Sequence, residues 1–201
     1  MAEQTRTRTE KIVNGVNVEE LFNSIETIKA TPGAAKFRFH LDNKWLEGGH
    51  NRSIVKNFHG GGDEITRDKA FTIEADEPPA LLGEDRAPNP VEFLLKALAA
   101  CVTSSIVYHA AAKGIAIEQM ECSVEGDLDI RGFLGLDKNV RNGYQQIRMN
   151  FRVKADLNDT ELDELVQLGP THSPVFDSLT KGVPVIVKAE RLGTRVGTTA
   201  A

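Results

Sequence analysis

Residues Asn89–Ala112 read NPVEFLLKALAACVTSSIVYHAAA, and the rest of the chain arranges itself around them. Asn89 is an N-cap residue, Pro90 sits at the first helical position where a missing N–H costs nothing, and Glu92 is placed to close a capping box. No Pro or Gly follows before Gly114. The stretch therefore predicts one helix of about 24 residues, roughly 36 Å long. Its apolar residues, from Phe93 and Leu94 through Leu98 and Val102 to Ile106 and Val107, fall on nearly every face. A helix of that kind is expected to be buried all round. Lys96, His109 and the Thr103-Ser104-Ser105 run, with flanks lacking a basic bias or aromatic belt, favour a core helix over a membrane span. At its centre lies a thiol, Cys101.

Before this helix the pattern is that of strands. AKFRFHLDNKWL (35–46) sets Phe37, Phe39 and Leu41 on one side and Arg38, His40 and Asp42 on the other, SIVKNF (53–58) returns, and AFTIEAD (70–76) follows. EGGHNR and HGGGDE are turns. Ahead of this meander, Asn17 and Glu20 predict a capping box that opens an amphipathic helix carrying Val18, Leu21, Phe22, Ile25 and Ile28, stopped at Thr31-Pro32-Gly33. Residues 1–15 are polar and expected to be frayed.

After the central helix, IAIEQMECSVEGDLDIRG predicts one long strand or a bent pair, with Met120, Cys122, Val124, Leu128 and Ile130 sharing a face. A further strand follows within RNGYQQIRMNFRVKAD. Asn158 and Glu161 then cap a short helix ended by Gly169-Pro170. Ser173-Pro174 opens another, stopped at Gly182, and VPVIVKAERL (183–192) reads as a last strand. Strands clustered before and after a buried helix, without β-α-β alternation, make an α+β fold of antiparallel sheets. Residues 1–33 form a tail and helix, and 34–201 one domain. There is no internal repeat.

The 201 residues carry a formal charge of −5, with no basic cluster, which argues against nucleic-acid and anionic-membrane partners. The N-terminus has no apolar signal segment, and Cys101 and Cys122 form neither a CxxC motif nor a disulfide framework, so a cytoplasmic protein is expected. The five histidines show no metal spacing and Gly60-Gly61-Gly62 is not a phosphate loop, so no cofactor or metal is expected. Most free cysteines are small buried hydrophobes. Cys101 is also too deep in its helix for the dipole to activate it, so reactivity requires a cation from elsewhere in the fold. No histidine within that helix can serve it, because His109 is about 80° round and about 12 Å along.

NPVEFLLKALAAC resembles the central helix of the OsmC/Ohr family of thiol-dependent peroxidases, where an Asn-Pro-Glu start leads to Ala-Ala-Cys. Trp45–Arg52 (WLEGGHNR) is similar to the strand and turn bearing that family's arginine, and EGDLDIRGFLGL and HSPVFDSLTKGVPVIV resemble its second half. The resemblance spans roughly residues 35–190 and implies an intertwined homodimer with central helices wrapped by sheets and sites at the subunit interface. It implies that Cys101 attacks an organic hydroperoxide and becomes a sulfenic acid, that Arg52 holds the thiolate, and that a glutamate orients the arginine. Two positions depart from the family. Its second cysteine, before Pro at a helix head, is Ser173 here, so recycling falls to an external thiol. Its glutamate directly after Asn-Pro is Val91 here, leaving Glu92 one residue on, where the capping box also accounts for it. The function expected is reduction of organic hydroperoxides through Cys101. The alternative is a non-catalytic dimer binding a small apolar or thiol-reactive ligand.

Overall fold

The computed structural model describes residues 11–192. The chain begins with a hairpin, β1 (Ile12–Val13) and β2 (Val16–Asn17), followed by helix α1 (Val18–Ala30). Three long strands come next, each in two pieces. They are β3 (Arg38–Phe39) with β4 (Asp42–Glu47), β5 (His50–Val55) with β6 (Phe58–Gly60), and β7 (Asp63–Ile65) with β8 (Phe71–Ala75). The pieces pair antiparallel as two three-stranded sheets, β3-β6-β7 and β4-β5-β8. Helix α2 (Pro90–Lys113) follows, then β9 (Gln119–Asp127), the short α3 (Ile130–Phe133), β10 (Gln146–Lys154), α4 (Asp159–His172) and α5 (Pro174–Lys181). The α+β class and antiparallel sheets are as expected.

Two of the three capping boxes read from sequence form in full, and at α1 Asn17 accepts from Glu19 N and Glu20 N without a return bond from Glu20 to the Asn17 backbone. Asn89 and Glu92 exchange side-chain and backbone bonds at 2.8 and 2.9 Å, and Asn158 and Glu161 do so at 2.9 and 3.0 Å. Gly114, in the left-handed region at φ 72°, closes α2. The core is one stripe of α2, namely Leu98, Val102, Ile106 and Ala110, with Leu165 of α4 between them. Met149, Phe151 and Val153 of β10 and Met120 of β9 pack around it. Gly169 permits this packing. A Cβ there would lie 2.6 Å from Val102 Cγ1 and 2.9 Å from Ile106 Cγ1.

Several expectations are corrected. Residues 11–15 are not frayed: Asn14 and Gly15 both take positive φ, the turn that matches strand twist, and link β1 to β2. Asn14 then ties the hairpin to the chain after α2, donating to Ile115 O and accepting from Ile117 N. Residues 1–10 lie outside the described range. The 35–46 alternation breaks at His40-Leu41, where the long strands bend from one sheet to the other. Ile130 belongs to α3, because the Asp129 side chain accepts from Arg131 N and starts a turn. Gly169-Pro170 does not end α4, which runs to His172: packing of its last turn on α2 outweighs one lost backbone bond.

Two further corrections bear on assembly. Residues 183–192 form no strand. They follow α5 with no sheet partner among the described residues, leaving Val185 at 78%, Ile186 at 83% and Val187 at 88% exposure. Helix α2 is long and apolar enough by composition to cross a membrane, but it is the packed centre of this core rather than a bare span. Nor is it buried all round within one chain. Ala97, Ala100, Ser104 and Tyr108 form an exposed stripe opposite the core.

Candidate functional site

Cys101 sits on α2 beside Val102, which faces the core, and Ala100, which faces solvent. Its thiol is free and half-buried at the border between the two faces. Ser105 Oγ donates to Cys101 O at 2.9 Å, a local bond that closes the hydroxyl onto the helix.

Arg52 is on β5. In the antiparallel register it lies directly opposite Glu74 of β8, and its Nε donates to Glu74 Oε1 at 2.7 Å. Glu74 also receives His50 Nε2 at 3.2 Å. The Arg52 hydrogen bond first, and the His50 bond second, hold the Glu74 carboxyl below its ordinary pKa. On the other side of the imidazole, Arg86 Nη1 lies 3.2 Å from His50 Nδ1. A guanidinium can only donate, so Nδ1 accepts and Nε2 donates to Glu74. Arg86 also pairs with Glu47 at 2.6 Å and Glu84 at 2.5 Å. The result is a continuous chain, Glu47–Arg86–His50–Glu74–Arg52, running across the sheet from the loop that leads into α2.

That loop is held by Asp76, 2% exposed. Burial pushes its pKa up, and backbone N–H groups of Arg86, Glu77 and Glu84 more than offset this, leaving it below the ordinary value. The three donors lie 2.8–3.2 Å from its oxygens.

The other sequence candidates fall elsewhere. Glu92 is exposed and occupied by the helix cap, nine residues and about 13 Å of helix from Cys101. Ser173 is 2% exposed and caps α5 by accepting from Phe176 N at 3.2 Å. Cys122 lies on β9 opposite Phe151, with its pKa raised by burial. His172 stacks on His109 with ring centroids 3.8 Å apart. Within one chain, Arg52 is bonded to Glu74 and not to Cys101. Among the described residues no cluster of three or more His, Cys, Asp or Glu is arranged to hold a metal.

Sequence reasoning missed Glu74, Arg86 and Asp76. Glu74 is found only through strand register, and nothing in AFTIEAD announces which residue it will face.

A six-stranded arrangement in two antiparallel sheets, followed by a long helix with a mid-helix thiol and then a hairpin and two helices, defines a class of thiol-bearing α+β proteins. The sequence profile described as "OsmC-like protein" matches residues 83–188, just over half the chain. This chain belongs to the OsmC-like family. No curated protein matches its sequence. Among solved structures it is similar to the OsmC-like protein from Mycoplasma pneumoniae (TM-score 0.55, 19% identity, 73% of this chain and 89% of that one). It is also similar to the organic hydroperoxide resistance protein OsmC from Legionella pneumophila (TM-score 0.52, 19% identity, 72% and 91%). At such identities the likeness is one of fold.

Proposed function

We propose that this protein reduces organic hydroperoxides through Cys101 and is recycled by an external thiol. The observation that carries the reading is the placement of Cys101: a free, half-buried thiol at mid-helix, between the core stripe and the exposed stripe of α2. Family membership and the hydroperoxide resistance ascribed to the Legionella relative support it. In the reaction the Cys101 thiolate attacks one peroxide oxygen, the O–O bond breaks, and the alkoxide leaves and takes up a proton. Sulfur is oxidised by two electrons to the sulfenic acid and the peroxide is reduced to the alcohol. A small thiol then displaces water to give a mixed disulfide, and a second thiol molecule releases Cys101.

Arg52 is the proposed activator, acting by charge-assisted hydrogen bonding to the thiolate. The carboxylate that orients it is Glu74, already bonded to it, rather than Glu92. Because Arg52 is bonded to Glu74 and not to Cys101 within one chain, the complete site is proposed to form between two copies. The exposed Ala97-Ala100-Ser104 stripe of α2 and the unpaired apolar segment 183–192 support such a homodimer. Turnover of cumene hydroperoxide with a dithiol reductant tests this reading. Wild-type protein should consume the peroxide and Cys101→Ser should not; equal rates would end it.

One observation favours the alternative, a binding protein without turnover. Ser173 is buried and committed to a helix cap, so nothing at that position can resolve an oxidised Cys101. An oxidised protein that small thiols cannot reduce would favour that reading.

A further inference from the structure

A cavity of about 330 Å³ opens between α2, β10, α5 and the loop at 141–145. Leu94 and Leu98 of α2, Ile147 and Met149 of β10, and Phe176 and Leu179 of α5 form its walls. Cys101 does not line it. The volume falls within the range of small-molecule sites, about 300–1,000 Å³.

The mouth is polar and shaped. Tyr144 OH donates to Val91 O at 3.0 Å, which ties the loop to the first turn of α2. Its ring occupies space that only a glycine at 126 leaves free, since a Cβ there would lie 2.6 Å from Tyr144 Cε1. The loop is therefore seated by two independent contacts. Arg141 and Gln145 border the same opening. Arg141 has no carboxylate partner among the described residues, a state it shares with Arg38, Arg67 and Arg191, and of these four it is the one that lines the cavity. Glu92, the acid of the α2 N-terminus, accepts from Asn89 N, and its charge reaches Tyr144 without forming an ion pair with Arg141.

An apolar chamber with one uncompensated guanidinium at its lip complements an amphipathic anion. We propose that this cavity binds a straight-chain carboxylate of medium length, its head group on Arg141 and its alkyl chain against Leu94, Leu98, Met149 and Phe176. Arg141 presents a planar pair of N–H donors to the two carboxylate oxygens. Burial of the chain supplies affinity that grows with each methylene. The site makes no use of Cys101 and stands whether or not that thiol turns over peroxide.

Calorimetric titration of the full-length protein with hexanoate, octanoate and decanoate, and with the matching alcohols, tests the proposal. None of these ligands reacts with a thiol, so the outcome is separate from peroxidase activity. Expected is one site per chain, with Kd falling about fourfold per added methylene until the chamber is filled. Each alcohol should bind at least about tenfold more weakly than its carboxylate. Arg141→Gln, a change at an exposed and unpaired side chain, should erase that difference while leaving alcohol binding intact. Leu179→Trp should fill the chamber and weaken both series. The proposal is overturned if no carboxylate up to decanoate binds, which is the result expected if a second copy or residues 183–192 occupy the chamber. It is overturned equally if Arg141→Gln binds carboxylates as well as wild type.

Discussion

At the scale of single residues, the account turns on which charges Cys101 and Arg52 meet. Arg52 is exposed and paired, so Arg52→Met should leave the melting temperature within a degree or two while slowing iodoacetamide alkylation of Cys101 at about pH 7 several-fold. Two further substitutions separate the carboxylates. Glu74→Gln should alter the alkylation rate by releasing Arg52. Glu92→Gln should leave that rate alone and cost roughly half a kcal/mol or less of stability, since glutamine also serves a capping box. If Glu92→Gln moves the alkylation rate and Glu74→Gln does not, the orienting role belongs to Glu92. A different residue sets the pH dependence. Burial first, then the charges of His172 and Lys113, lower the pKa of His109. The unfolded chain therefore binds more protons than the native one as pH drops below the ordinary imidazole value of about 6.5. Stability is full above that value and lost as pH falls towards the lower folded-state value. Urea midpoints between pH 7.5 and 5 should fall in wild type and fall less in His109→Gln. Parallel slopes would remove His109 from the explanation.

At the scale of elements, the decisive contact is α4 against α2. Gly169→Ala forces a methyl into Val102 and Ile106 and should destabilise the protein by about 1–3 kcal/mol. A two-state urea curve with an unchanged midpoint would show that the helices can separate at no cost. What the sequence made legible follows the same divide between local and non-local forces. The Asn-x-x-Glu capping boxes of α2 and α4, the Ser173 cap and the span of α2 were readable because each depends on a few consecutive residues. The Asn14-Gly15 hairpin was equally local, but it was hidden by reading the first fifteen residues as one polar tail. The continuation of α4 through Pro170 was not readable, because the packing of Gly169 that sustains it comes from a helix some sixty residues away. Cys101 could be picked out from its Ala-Ala-Cys setting, whereas its relation to Arg52 could not. The Arg52–Glu74 pair depends on strand register, and register is set by three strands together.

At the scale of the whole molecule, the apolar surface that one chain leaves uncovered is what the proposed homodimer would bury. Phe37, Phe39 and Phe58 stack with centroids 5.3–6.4 Å apart, and Phe39 is 70% exposed. The outer stripe of α2 and residues 183–192 add to it. Sedimentation at micromolar concentration should give a dimer, with an interface expected to exceed about 2,000 Å². Truncation after Lys181 should shift the protein to monomer or aggregate. A full-length chain that sediments as a stable monomer would refute the shared site.

The claim on which the rest depends is that Cys101 is the peroxide-reactive thiol. Peptide mass mapping after one equivalent of cumene hydroperoxide, with dimedone present to trap sulfenic acid, tests it most directly. The account predicts the dimedone adduct on Cys101 within seconds, with Cys122 still a free thiol. An unmodified Cys101, or a Cys101–Cys122 disulfide in place of the adduct, would contradict it.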